Sequence, residues 1–168
     1  MRTTHSGGRA MNNDRSALYG DALFETVRVE EGGAVALDRH IDRFSRSARA
    51  LGYPPACLLA GVHALTALAD ADAPGIYRVT VSRDDDDAPF GGTASVWTTV
   101  RPLPARVARP RLTLLHDWYF PNDILAEHKS TSYLRRVEQR RRAHAAGFDD
   151  AISVSADGFL GEASAASA

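Results

Sequence analysis

Apolar and polar residues alternate over residues 23–29 (LFETVRV), the period-two signature of a strand with one buried face. The turn residues Glu31, Gly32 and Gly33 follow, and residues 34–37 are the expected return strand of a hairpin. The period then changes. Leu37, Ile41, Phe44, Ala48 and Leu51 recur at helical spacing, with Asp38 as the expected cap and Gly52 as the stop. A second helix is expected over residues 55–69. Residues 75–83 (GIYRVTVSR) form a β-branched strand, DDDDAPFGG a loop, and residues 95–100 (SVWTTV) another strand.

Pro102, Pro104 and Pro110 then mark the best linker in the chain. Beyond it the pattern predicts a strand over 111–115, an irregular turn over 122–127 and a helix over 132–146 closed by Gly147. Two further strands, 151–155 and 159–162, flank the hairpin signal Asp157-Gly158. Residues 1–13 are polar, Gly-rich and aperiodic, and read as a flexible lead-in. The fold class is α+β: a small N-terminal α/β domain with an antiparallel sheet over residues 14–103, then the start of a second domain over 104–168.

Composition narrows the chemistry. The 168 residues carry a formal net charge of −1, which gives no reason to expect nucleic acid or a membrane as the main partner. One cysteine, Cys57, excludes a disulfide framework and a four-thiolate zinc site, and no metal site is expected. Nothing approaches the ~18 consecutive apolar residues of a membrane span, and no apolar signal core opens the chain, so a soluble, cytoplasmic protein is expected. Of the 20 basic side chains one is lysine, Lys129, and the rest are arginine. A lysine kept amid such arginine bias points to work a guanidinium cannot do, such as acting as an amine nucleophile.

Several motifs then resemble one family in its order. Asp14-Arg15, YGDALFETVRV (19–29), LDRHIDRFSRSARALG (37–52), VTVSRD (79–84), HKSTSYL (128–134) and DDAISVSADGFLGEASAASA (149–168) are similar to the fold-type IV pyridoxal-phosphate enzymes. These are the class IV aminotransferases: branched-chain and D-amino-acid aminotransferases and aminodeoxychorismate lyase. The resemblance implies that the second domain is the first part of a larger mixed, barrel-like domain, and that the chain ends before the family's C-terminal part. It also implies a pyridoxal 5'-phosphate cofactor, an amino acid or similar amino-bearing substrate, and a homodimer.

Roles follow from the same resemblance. Lys129 stands where the family lysine holds the cofactor as an internal aldimine and moves the substrate Cα proton. Glu162 stands where a carboxylate pairs with the pyridine nitrogen, Arg43 where a guanidinium binds the phosphate, and Tyr133 near the cofactor ring. Phe24 and Arg83 stand on the substrate side. The sequence departs from the family at Ser132, where an asparagine is usual, and at Ser167-Ala168, where the chain stops. Plainer readings stand beside these: Arg43 as one solvated arginine among Arg39, Arg46 and Arg49; Glu25 with Arg28 as a surface pair; Asp84–Asp87 as a solvated run; His63 as a satisfied or exposed histidine. The arginines of residues 134–144 could grip nucleic acid, but no aromatic interleaves them and a solvated face is preferred. Two functional alternatives remain: an aminodeoxychorismate-type elimination, and a truncated non-catalytic homologue acting as an interaction or dimerisation module.

Overall fold

Alternation along residues 22–30 builds the strand on which the rest of the first unit is assembled. The computed structural model describes residues 3–5, 15–83, 94–105, 108–118 and 123–164. The chain divides into two units, residues 1–104 with 128–131, and residues 105–127 with 132–168. The division after Pro104 is interrupted: His128–Thr131, which the sequence places in the second domain, belong to the first unit.

In the first unit, β1 (Thr3–His5), β2 (Ala22–Glu30), β3 (Gly33–Ala34), β4 (Gly75–Arg83) and β5 (Ala94–Arg101) form an antiparallel sheet ordered β1-β5-β4-β2-β3. The register sets Phe24 opposite Thr80 and Thr80 opposite Trp97, so these share one face. Leu23, Glu25 and Val27 take the other. There α2 (Leu37–Ala50) and α3 (Pro55–Thr66) pack, enclosing Leu23, Val27, Phe44, Ala48, Cys57, Leu65, Val79 and Val81 as the core.

Four expectations change here. Thr3–His5 are not lead-in but an edge strand paired with Trp97–Thr99; an edge strand needs main-chain partners, not an apolar pattern. The return strand is only Gly33–Ala34, because Ala36 turns left-handed at φ 52° and Leu37 already starts α2. Asp38 is therefore inside the first helical turn, where it complements the positive helix end, and is not the cap. The second helix stops at Thr66 and tightens into a 3₁₀ turn, Ala67–Asp70. Gly52 does end α2: at φ +65° it lets Gly52 N–H reach Arg49 O and Tyr53 N–H reach Ala48 O.

The second unit holds a mixed sheet, β6 (Leu112–Leu115), β7 (Asp150–Val154) and β8 (Leu160–Ala163), with β6 parallel and β8 antiparallel to β7. The expected irregular turn contains a short helix, α4 (Ile124–Glu127), started by Leu125 N–H donating to Asp123 Oδ1. Helix α5 (Leu134–Ala145) packs on β7 and begins two residues later than expected, after Tyr133. The short helix α1 (Arg15–Tyr19), in the first unit, had no sequence signal. Asp14, Asp84–Asp87, Asn122 and Ser167 lie outside the described residues.

Helices α2 and α3 touch at a glycine. A Cβ on Gly61 would sit 2.2 Å from the ring of Phe44, which is 3% exposed. Gly61→Ala raises helix propensity by about 1 kcal/mol, but the ring has no room to tilt in a packed core. The variant should unfold more easily by about 1–3 kcal/mol in urea denaturation, against the propensity gain.

Candidate active site

The first unit places its lysine by main-chain pairing. Residues 128–131 run antiparallel beside β2, on the side not taken by β4. Phe24 N–H donates to Lys129 O (2.9 Å), Thr131 N–H to Ala22 O (2.8 Å) and Ala22 N–H to Thr131 Oγ1 (3.1 Å). The His128 ring and Ser47 Oγ on α2 hold the start of the segment, 3.2 Å apart. Lys129 Nζ lies 4.7 Å from the centre of the Phe24 ring, and the Arg78 guanidinium carbon lies 3.6 Å from it. Phe24 is buried, so the ring face attracts both cations where little water screens them.

On the opposite face of β2, Glu25 is 1% exposed. Arg43 on α2 engages it side-on, Nε to Oε1 at 2.6 Å and Nη2 to Oε2 at 2.5 Å, and His40 Nδ1 lies 2.8 Å from Oε2. Burial pushes the Glu25 carboxyl up, but the Arg43 and His40 hydrogen bonds outweigh it and hold it below the usual range. Arg39, Arg46 and Arg49 on the same helix are exposed, so Arg43 is not one more solvated arginine. Nor is Glu25 half of a surface pair: Arg28 bonds Glu30 instead. The strand phase carried this signal, since Glu25 alternates with Leu23 and Val27 on the core side.

Arg83 is committed elsewhere. It bonds both oxygens of Asp21 (2.9 and 3.0 Å), donates to the Leu51 and Gly52 carbonyls at the end of α2, and stacks over Tyr53. Arg15 and the Tyr53 hydroxyl also bond Asp21. Burial raises Asp21 and these partners pull it lower still, while burial beside Asp21 pushes the Tyr53 hydroxyl up. These bonds lock the α2 terminus to the start of β2.

In the second unit, Glu162 on β8 is half exposed and pairs with Arg136. Its carbonyl accepts from Gln139 Nε2 (2.9 Å) and Ser153 Oγ (3.1 Å), which fixes the strand beneath the carboxylate. The Tyr133 hydroxyl donates to Ser164 O at 2.9 Å, while the buried Ser164 Oγ has no hydrogen-bond partner among the described residues. The arginines of α5 are largely neutralised in place: Arg135 by Asp123, Arg136 by Glu162, Arg141 and Arg142 by Glu138. His63 is exposed. Among the described residues no cluster of three metal-ligating side chains occurs, and no helix is long and apolar enough to cross a membrane.

The family model for amino-transferase class IV matches residues 22–168. The chain belongs to the class IV aminotransferase family. It is 31% identical, over 88% of its length, to the bifunctional aminodeoxychorismate lyase / D-amino acid transaminase of Mycobacterium tuberculosis, of which it covers 56%. It is 26% identical to a hypothetical aminotransferase from the same organism solved in a PLP-bound form (TM-score 0.73), covering 94% of this chain and 60% of that one. The 4-amino-4-deoxychorismate lyase from Pseudomonas aeruginosa shares the fold (TM-score 0.76, 21% identity, 98% of this chain and 65% of that one). The chain thus spans little more than half the length of the curated relatives it matches.

In this class IV chain a buried carboxylate, Glu25, and a partly buried one, Asp21, make stability depend on acid. Asp21 and Glu25 both titrate below their ordinary values of 3.8 and 4.5, so each stabilises the fold above those values and stops doing so as pH falls through its folded-state value. The unfolding free energy should be insensitive to these groups at neutral pH and fall steeply below about pH 4.5. Asp21→Asn should cost about 2–3 kcal/mol at neutral pH and make the acid decline shallower, as read by urea unfolding across pH.

Proposed function

We propose that this chain carries pyridoxal-phosphate chemistry on an amino acid or similar amino-bearing acid, with transamination as its reaction. The observation that carries the reading is the lone lysine, held by main-chain pairing with its amine against Phe24. The PLP-bound and PMP-bound states of the M. tuberculosis structures support the same cofactor. The donor set fits it: an amine, a guanidinium anchored to a buried acid, a carboxylate on a braced strand, and an unsatisfied buried hydroxyl beside Tyr133.

Pyridoxal phosphate, when bound, supplies an electron sink for charge developing at the substrate Cα. Arg43 would hold the phosphate, a dianion that a planar guanidinium suits. Glu162 would keep the pyridine nitrogen protonated, and Tyr133 would line the cofactor site. Lys129 carries the proton to and from the substrate Cα, since an amine can release it near neutral pH and a guanidinium cannot. Phe24 walls the substrate side. Arg78, stacked on Phe24, is the cation we place beside the substrate carboxylate, in place of Arg83.

A lyase reading stays open because the 31% identical relative is named for both activities; the two differ in whether a substituent leaves after Cα deprotonation. A homodimer is the assembly this reading implies, and exposed Leu59, Leu134, Phe159 and Leu160 leave apolar surface for further protein to cover. A non-catalytic module would keep the fold without the amine. Lys129→Arg separates the readings: amino-group transfer by the full polypeptide should drop on the order of a thousandfold with unfolding behaviour unchanged. Full activity in that variant would end the proposal.

A further inference from the structure

Glu25 occupies a costly position. It stands between Leu23 and Val27 on the core side of β2, where an apolar residue of similar volume would pack without desolvating a charge. Stability alone does not account for it. What Glu25 does is hold Arg43: the side-on fork uses Nε and Nη2, which fixes the guanidinium plane and turns the Nη1 edge away from the carboxylate. His40, one turn earlier on α2, braces Oε2 from the other side and sits 3.4 Å from Arg43 Nη2. The outcome is asymmetric. Glu25 is shut from solvent, whereas the Arg43 side chain keeps 40% of its exposure, so the arginine is anchored from within and presented outward.

We infer that Glu25 is a positioning residue for the cofactor phosphate, acting through Arg43 with His40 as its second brace. The inference rests on the proposed cofactor reading and adds to it the residue that pre-orders the anion-binding arginine. An unbraced arginine loses rotamer freedom when it grips an anion; one already locked by Glu25 has less to lose. The gain belongs to the phosphate alone, because Glu25 lies on the opposite face of β2 from the ring that Lys129 touches.

Pyridoxal and pyridoxal phosphate carry the same aldehyde and differ in the phosphate, so their dissociation constants, read from the visible absorbance band in the full polypeptide, isolate the effect. Glu25→Gln should weaken pyridoxal phosphate about tenfold and leave pyridoxal within about twofold. Arg43→Gln should weaken pyridoxal phosphate at least as much, and adding Glu25→Gln to it should change little, because both act through one contact. If Glu25→Gln does not fold, Glu25→Asp, which keeps the charge one methylene shorter, should show a smaller loss confined to the phosphate form. Equal losses for both aldehydes, an unchanged affinity for pyridoxal phosphate, or additive effects of the two substitutions would overturn the inference. Absence of the band with either aldehyde in the parent protein would instead remove the cofactor reading, and this inference with it.

Discussion

The pairing of residues 128–131 with the edge of β2 is the constraint on which the candidate site depends. Two main-chain hydrogen bonds and the Thr131 hydroxyl fasten the segment at Ala22 and Phe24, and so set the height of Lys129 along the strand. Strand β2 thereby does three things. Its edge takes the lysine segment, one face offers Phe24 to Lys129 and Arg78, and the other carries Glu25 to Arg43. Because strand side chains alternate strictly, a slip of one residue would exchange these faces and dismantle the site and the core together.

Two ion clusters, one at the middle of α2 and one at its end, tie that helix to the sheet. Glu25 receives His40 and Arg43 from its first half; Arg83, held by Asp21, donates to the carbonyls at its end, where orphan acceptors would otherwise lack partners. Buried pairs of this kind add little net stability, because desolvation consumes much of the attraction. Their effect is geometric. A helix held at its middle and its end by directional bonds keeps Arg43 at a fixed height over β2, which apolar packing of Phe44 and Ala48 alone would not specify.

Much of this was legible in the chain. The period-two run at 23–29, the helical spacing from Leu37 to Leu51 and the strand at 75–83 all correspond to elements of the structure, since each reports a single buried face. What failed to show depends on contacts distant in sequence. Thr3–His5 pair as an edge strand, and main-chain pairing leaves no mark on side-chain type. The pairing of Arg83 with Asp21, 62 residues away, has no local signal in the sequence. Glu25 shares the phase of Leu23 and Val27, so its place on the core side is written in the alternation, but its charge matches a surface residue as well. Lys129 was expected with the second domain because Pro102 and Pro104 mark a boundary, and composition cannot announce that four later residues return across it.

The central claim is that Lys129, so held, is the amine that carries the chemistry of this class IV chain. Lys129 is the sole lysine of these 168 residues, so it is the one side-chain amine they offer a cofactor aldehyde. The most direct measurement is peptide mapping by mass spectrometry after pyridoxal phosphate is added and fixed with borohydride. One label per chain on the peptide containing Lys129 is the predicted result; a label confined to the N-terminus, or none, would contradict the account.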